Sequence, residues 1–214
     1  MEAKIKVLIT AGPTYEPIDP VRYIGNRSSG QMGIELAGVC AEHGYEVVLV
    51  LGPTHLENTI NKEVTVINVE TADEMFCECS NHLDARIIIG AAAVSDYRVM
   101  NYSNEKIKKN GSITLELEKN VDILYEIGLV KRSDQVLVGF ALESSNLIEY
   151  AKAKIQKKNL DMIVANHTSA MNSSKSNVTI INKNDMDNPV EYGLDHKYRH
   201  ASDIIDYIER EFIK

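Results

Sequence analysis

A segment rich in glycine and serine near the N-terminus has the composition of an anion site. It reads Asn26-Arg27-Ser28-Ser29-Gly30-Gln31-Met32-Gly33 and opens a stretch with the apolar spacing of a helix. Free backbone N–H groups at a helix N-terminus bind phosphate and carboxylate groups, and nearby hydroxyls assist them. The segment differs from both the Walker P-loop and the dinucleotide fingerprint in its glycine and lysine positions. It therefore predicts a phosphate site, with a plain capped loop as the alternative.

Two groups of lysines could stabilise the charge of a polyphosphate. Lys106-Ile107-Lys108-Lys109 lies in a polar stretch that predicts a mobile loop, and Lys154 and Lys158 are four residues apart on a predicted helix. A lysine that closes over a triphosphate stabilises charge that develops in the transition state. The alternatives are a solvated charge run for the first group and a surface stripe for the second.

Other catalytic arrangements have less support in the sequence. Tyr150 and Lys154 have the Tyr-x-x-x-Lys spacing of short-chain NAD(P) oxidoreductases, which makes that activity an alternative. However, the glycine fingerprint of dinucleotide-binding proteins is missing. The second predicted strand also ends in Leu51-Gly52-Pro53, without the acidic residue that would bind a ribose. The histidines have no metal-ligand spacing, the three cysteines form no paired zinc motif, and no G-x-S-x-G elbow is present.

The elements that must position these residues alternate between strand and helix. Apolar runs predict buried strands at 4–10, 45–51, 64–69, 86–90, 136–140 and 161–165, and a short late strand at 178–181. Helical spacing predicts helices at about 30–43, 71–83 and 145–157, and a last helix from about residue 202. Nearly continuous apolar strands that alternate with helices are typical of a parallel sheet covered on both faces. The predicted fold class is therefore α/β, a three-layer Rossmann-like fold with a mainly parallel sheet.

One excursion interrupts this rhythm. Residues 98–111 are polar, and 113–118 alternate with a period of two, which predicts a half-exposed strand outside the main sheet. A second polar loop is predicted at 166–177. We interpret 1–214 as a single domain with 98–118 as a small flap.

The segments with unusual composition follow the predicted strands. Ligands of open α/β sheets bind at the carboxyl ends of the strands, so separate segments should meet there. The expected convergence of these segments is the main evidence for a binding site that comes from the residues alone. The segments are 10–33, 90–98, 139–143 and 165–166.

The composition restricts the partners. The 214 residues carry 23 Lys and Arg against 31 Asp and Glu, a formal net charge of −8, with 44% hydrophobic residues. This acidic balance argues against nucleic acid or an anionic membrane surface as a partner. No apolar run approaches the roughly 20 residues of a membrane span, and no signal peptide is evident, so we expect a cytoplasmic protein.

The motifs resemble those of phosphopantothenoylcysteine synthetase (phosphopantothenate–cysteine ligase) and are collinear with them. The resemblance reaches from Thr10 to Asn166, and the last ~45 residues carry little of it. The chain starts at the first strand of that family's fold, and so resembles its stand-alone bacterial form. The matching segments are 10–14, 16–24, 26–33, 92–98, 106–109, 138–143 and 159–166.

The resemblance implies a ligase of coenzyme A biosynthesis. Such an enzyme activates the carboxylate of 4′-phosphopantothenate with a nucleoside triphosphate, releasing pyrophosphate. L-cysteine then displaces the nucleoside monophosphate. The bacterial form implies CTP rather than ATP, Mg²⁺ with the triphosphate, and a homodimer.

The resemblance also implies roles for residues. Asn26 would hold the acyl-nucleotide, and Lys106 would stabilise the triphosphate. Asp96 would lie near the ribose, the phosphates or the metal, and Arg22 would reach the neighbouring site of the dimer. Further nucleotide contacts are implied for Gly90, Ala91, Ala92, Val121, Asp122, Ile123, Leu124, Phe140, Lys154 and Lys158, and substrate or phosphate contacts for Gly12, Ser28, Ser29 and Gly30.

Two positions depart from the pattern of that family. Gln31 stands where a lysine is usual, and Val121 where a proline is usual. An uncharged Gln31 provides no cation for a phosphate, whereas backbone contacts at residue 121 survive the change. A non-catalytic nucleotide-binding regulatory module is therefore kept as an alternative.

Overall fold

A computed structural model of the chain describes residues 4–143, 146–167 and 175–213. The strands are β1 (Lys6–Ala11), β2 (Tyr15–Pro17), β3 (Tyr23–Gly25), β4 (Glu46–Leu51), β5 (Thr65–Asn68), β6 (Ile87–Gly90), β7 (Tyr97–Val99), β8 (Leu117–Lys119), β9 (Val136–Glu143), β10 (Met162–His167), β11 (Lys175–Asn182) and β12 (Asp185–His196). The helices are α1 (Gln31–Glu42), α2 (Ala72–Asn81), α3 (Ile123–Val130), α4 (Leu147–Lys158) and α5 (Lys197–Phe212).

Eight strands form the main sheet, in the order β12-β11-β10-β9-β6-β1-β4-β5. The strands from β10 to β5 are parallel, and β11 and β12 extend the sheet as an antiparallel pair. The chain runs from β1 outward to β4 and β5, and then crosses to β6 on the other side of β1. This reversal places a ligand crevice at the carboxyl ends of β1 and β6.

Alternating side chains of the strands build a core on each face of the sheet. Val7 and Ile9 of β1 pack on one face with α1 and α5, and Leu8 packs on the other with α2, α3 and α4. Strands buried on both faces explain the continuous apolar runs of the sequence. The α/β, three-layer, mainly parallel architecture is confirmed.

Helix α2 begins as its sequence predicts. Thr71 accepts a hydrogen bond from the backbone N–H of Glu74, and the Glu74 carboxylate accepts from the backbone N–H of Thr71. This capping box satisfies two N–H groups that the helix leaves unpaired. No helix in the described part of the chain is long and apolar enough to cross a membrane.

The C-terminal part differs from its prediction. The sequence pattern does not predict strand β12, β11 is longer than the predicted 178–181, and α5 begins at Lys197 rather than near residue 202. Helix α3, earlier in the chain, is not predicted either. β12 is an edge strand whose side chains are mostly exposed, so it lacks the apolar run or alternation that signals a strand. Pro189 within it is tolerated because an edge strand has unpaired N–H positions.

The flap is partly as predicted. β7 and β8 form a two-stranded sheet outside the main one, but only the end of the alternating segment 113–118 is strand. Arg98 donates a hydrogen bond to Glu118 across this pair and also contacts Asp73 of α2. These contacts fix the base of the flap on the body of the molecule.

Candidate functional site

The loops after β1 and β6 continue to pair beyond the edge of the sheet. The N–H of Ala91 donates to the Thr10 carbonyl (3.1 Å), and the N–H of Ala93 donates to the Gly12 carbonyl (2.8 Å). Farther out, the Ser95 hydroxyl donates to the Thr14 carbonyl at 3.1 Å. The crevice is therefore lined by fixed backbone rather than by long free loops.

Close backbone approach at this edge requires glycine. A Cβ at Gly52, which follows β4, would lie 1.8 Å from the carbonyl oxygen of Pro13. Gly12 has a φ of 80°, in the left-handed region that favours glycine. The loop after β1 is thus pressed against the end of β4.

We expect Gly52→Ala to lower the free energy of unfolding by about 3 kcal/mol, because the methyl group overlaps rigid backbone. Urea denaturation followed by circular dichroism measures this change. Gly38→Ala is the matched control, since a Cβ there meets nothing within 4 Å. In the interior of α1 it should stabilise the protein by about 0.5–1 kcal/mol. Equal stability of the two variants would contradict the close approach.

A cleft of about 480 Å³ opens between the loop after β6, the start of α3 and the end of α4. The structure brings together most of the residues to which the resemblance assigns nucleotide contacts. Leu124 packs against Gly90, where a Cβ would lie 2.6 Å from its side chain. The predicted residues that line the cleft are Gly90, Ala92, Asp96, Val121, Asp122, Ile123, Leu124, Phe140, Lys154 and Lys158.

The cleft is locally positive although the chain is acidic. Four lysines line it against two aspartates: Lys119, Lys154, Lys157 and Lys158, and Asp96 and Asp122. Such a local field concentrates small anions without a basic protein surface. The sequence does not predict Lys119 and Lys157 as residues of the cleft, because neither belongs to a recognisable motif.

A salt bridge between Lys158 and Asp122 connects α4 to the start of α3 at one wall of the cleft. The Lys158 ammonium donates to Asp122 Oδ1 at 2.8 Å, and the same oxygen accepts from the Tyr125 N–H at 3.3 Å as the N-cap of α3. A bound phosphate would compete with Asp122 for Lys158. The pair therefore positions the lysine beside the cleft and restrains its side chain.

Asp96 suits a metal ion that arrives with a nucleotide. Its carboxylate is exposed at the cleft and makes no hydrogen bond or ion pair with the described residues. Mg²⁺ in nucleotide sites is commonly held by one or two carboxylates together with phosphate oxygens. The donor set fits a magnesium–triphosphate complex better than a dedicated protein cage.

A second cavity of about 200 Å³ adjoins the cleft and shares Ala92, Ala93 and Phe140 with it. It lies at the N-terminus of α1, where Gly30 has a φ of 76°. The cavity is lined by Ser28, Ser29, Gly30 and Ala91 of the predicted set, and also by Arg27, Gln31, Asn166 and Lys197. The shared wall means that a ligand phosphate in this cavity and a nucleotide in the cleft would be neighbours.

Asn26 lines neither cavity but is hydrogen-bonded to the loop that the two cavities share. Its Nδ2 donates to the carbonyl oxygens of Ala93 (3.2 Å) and Val94 (3.0 Å) in the loop after β6. Gly12 also lines neither cavity, but its backbone lies 3.1 Å from the position of a Cβ on Gly30. Asn26 thus connects its own segment to the loop after β6, and Gly12 packs the loop after β1 against the N-terminus of α1.

The flap is anchored beside the site by a buried carboxylate. Asp19 Oδ2 accepts from the N–H of Ile107 at 3.1 Å, and the Arg22 guanidinium donates to Asp19 and to the Ile107 carbonyl. Burial raises the pKa of the Asp19 carboxyl, but three backbone N–H bonds aided by Arg22 outweigh it and keep that pKa below its ordinary value. Lys106 is exposed next to this anchor and lines neither cavity.

Asp19→Asn should weaken the anchor, because a neutral amide is a poorer acceptor for these donors. If Lys106 acts from the flap, its effective concentration at the site falls. We expect the amide of Ile107, which donates to Asp19, to exchange about tenfold faster, measured by hydrogen–deuterium exchange. Since the pKa of Asp19 is lowered in the folded protein, the anchor is intact above about pH 4 and is lost only in more acidic solution. Asp134→Asn, which removes an exposed charge, is the control, and equal exchange rates for both variants would contradict the anchor.

Comparisons with known proteins agree on the family. The model of the DNA/pantothenate metabolism flavoprotein C-terminal domain matches residues 2–212. The coenzyme A biosynthesis bifunctional protein CoaBC of Haemophilus influenzae is 41% identical over 98% of this chain, which corresponds to 52% of the relative. The chain thus spans about half the length of the curated relatives it matches.

Two solved structures have the same fold. The C-terminal domain of a CoaBC protein aligns with a TM-score of 0.83 at 38% identity, covering 96% of this chain and 94% of that one. A Cab2 variant aligns with a TM-score of 0.81 at 18% identity, covering 98% and 86% respectively. On the family match and the similarity to CoaBC proteins, this chain belongs to the family of the DNA/pantothenate metabolism flavoprotein C-terminal domain.

Proposed function

We propose that this chain is a phosphopantothenate–cysteine ligase that joins 4′-phosphopantothenate and L-cysteine to give 4′-phosphopantothenoyl-L-cysteine. The main structural support for this proposal is the pair of adjoining cavities, which have a common wall. One cavity is rich in lysine, and the other lies at a helix N-terminus. The CoaBC relatives are named for coenzyme A biosynthesis, and the Cab2 variant was solved with phosphopantothenate-cysteine. Both names support this substrate class.

The proposed reaction has two steps. A carboxylate oxygen of phosphopantothenate attacks the α-phosphorus of CTP, and pyrophosphate leaves. The cysteine amine then attacks the acyl carbon, CMP leaves, and the amine loses a proton. A carboxylate is a poor acyl donor, and the nucleotide turns its oxygen into a good leaving group.

The chain's own residues divide these tasks. The lysines of the cleft hold the triphosphate, and Lys106 adds charge stabilisation from the flap. Asn26 fixes the loop at Ala93 and Val94, where the acyl-nucleotide would cross from one cavity to the other. Asp96 would hold Mg²⁺, which neutralises phosphate charge when bound.

We also propose that two copies of the chain associate through the flap. Of the sixteen large apolar side chains that are exposed among the described residues, eight lie on the β2–β3 hairpin, on β7 and on the flap, and contiguous apolar patches mark protein interfaces. In the single chain Arg22 contacts Asp19 and Ile107, so any reach to a neighbouring site would extend from this anchor. These eight residues are Val21, Tyr23, Tyr97, Met100, Tyr102, Ile113, Leu115 and Leu117.

Product formation tests the activity directly. The protein is incubated with phosphopantothenate, cysteine and Mg²⁺, with CTP and ATP in parallel reactions, and the product is identified by mass spectrometry. We expect the amide product and one equivalent each of pyrophosphate and CMP with CTP. A folded protein that binds nucleotide without making product would instead support a regulatory module.

A further inference from the structure

Lys197 is a buried cation without a close anionic partner among the described residues. It is the first residue of α5, is only 8% exposed, and lines the second cavity. Its ammonium forms no hydrogen bond or ion pair with any residue in the described ranges. The side chain is therefore withdrawn from bulk water but open to the cavity.

This placement is unfavourable for a cation without an anionic ligand. Lysine is almost never buried unless it is paired, because its ammonium loses hydration. The N-terminus of a helix also disfavours positive charge, and Lys197 is at the N-terminus of α5. Burial lowers the pKa of the Lys197 ammonium, and the carboxylate of Glu35 opposes that shift only in part.

The rest of the cavity provides donors but little buried charge. The N-terminus of α1 opens into it, and the hydroxyls of Ser28 and Ser29 accept from the N–H groups of Gly30 and Gln31 at 3.3 and 3.4 Å. Gln31 is uncharged and Arg27 is exposed. Among the described residues of the cavity, Lys197 is thus the buried cation, and it shares the cavity with the N-terminus of α1.

We propose that Lys197 binds the phosphate of phosphopantothenate and, with the N-terminus of α1, sets the preference for the phosphorylated substrate over pantothenate. This inference rests on the proposed function for the identity of the ligand. It assigns the cation of the phosphate site to the start of α5 rather than to position 31. A dianionic phosphate would restore the interactions that the ammonium loses on burial.

The test compares Lys197→Met with the wild-type protein. Methionine keeps the length of the side chain and removes the charge. Titration calorimetry measures the Kd of phosphopantothenate and of pantothenate, which differ only in the phosphate. In the wild-type protein we expect pantothenate to have a much larger Kd than phosphopantothenate. The ratio of the Kd of pantothenate to that of phosphopantothenate should fall by at least about tenfold in Lys197→Met, with the Kd of CTP unchanged.

Two further variants separate binding from folding. Lys183→Met removes one exposed positive charge outside both cavities and should leave the ratio unchanged. Lys197→Arg keeps the charge and should retain most of the preference. If Lys197 serves only the fold, Lys197→Met lowers the thermal midpoint of the ligand-free protein and keeps the ratio, which would overturn the proposal. We expect a midpoint equal to or above that of wild type, because an unpaired buried charge is removed.

The two proposals fail in different ways. A wild-type protein that prefers phosphopantothenate but makes no product with either nucleotide refutes the ligase activity and leaves the role of Lys197 intact. Product formation together with an unchanged Kd ratio in Lys197→Met refutes the role of Lys197 alone. No preference of the wild-type protein for the phosphorylated ligand overturns it as well.

Discussion

Lys106→Gln is expected to slow acyl-nucleotide formation about 100- to 1,000-fold, the typical loss when one preorganised charge is removed from a transition state. Glutamine has a similar reach and still donates hydrogen bonds, but it carries no charge. Because Lys106 is exposed, the substitution should change the free energy of unfolding by less than about 0.5 kcal/mol. Rapid quench of a single turnover, without cysteine, measures the rate.

The flap provides a matched control for this variant. Lys109 is also exposed and lies three residues farther along the same flap. Lys109→Gln makes the same change of charge. Its rate should stay within about threefold of the wild-type rate if the position of the charge, and not the overall charge of the flap, determines the rate. Equal losses in both variants would show that only the overall charge of the flap matters. An unchanged rate in Lys106→Gln would reject its role in activation.

Asn26→Asp is expected to slow product formation about 100-fold and to leave acyl-nucleotide accumulated on the protein. The amide of Asn26 donates to two carbonyl oxygens in the loop shared by the two cavities. A carboxylate cannot donate to them and repels them, as it repels the phosphodiester-like group of the intermediate. Mass spectrometry of a quenched reaction with all substrates measures both species.

Asn26→Ala separates the two causes of this effect. Alanine removes the hydrogen bonds but adds no charge, so it should slow the reaction less than aspartate if repulsion contributes. Normal folding of both variants is checked by the thermal midpoint. A variant Asn26→Asp that makes product at the wild-type rate, with no accumulated intermediate, would show that Asn26 has no role in converting it.

The site could be anticipated because parallel strands impose a common edge. The apolar runs at β1 and β6 predict buried neighbours, and the polar segments that follow them must then meet. The spacing of Lys154 and Lys158 leaves a surface stripe open as an alternative, and only the family resemblance implies nucleotide contacts for these lysines and for Asp122. The spacing of the two lysines is equally typical of a helix surface, and the position of Asp122 is equally typical of a helix cap.

Lys197 could not be recognised from the sequence, and the reason is topological. It follows β12, an edge strand whose exposed side chains have no strand-like pattern. Only the antiparallel return of β11 and β12 brings the start of α5 beside α1. A lone lysine in that region looks like any surface lysine until its burial is known.

The interpretation of net charge also depends on the structure. A charge of −8 argues against a broad anionic surface as a partner, yet the cleft places four lysines against two aspartates. Composition averages over the whole surface, whereas binding depends on the few groups that face the ligand. An acidic chain and a pocket for small polyanions are therefore compatible.

Activation of the carboxylate by a nucleotide is the central claim, and pyrophosphate release without cysteine tests it most directly. The protein is mixed with phosphopantothenate, Mg²⁺ and either CTP or ATP, and pyrophosphate is counted against active sites. We predict a burst of about one pyrophosphate for each site with CTP, dependent on phosphopantothenate and matched by acyl-cytidylate. Nucleotide binding by the folded protein, with no pyrophosphate released from CTP or ATP, would contradict the account.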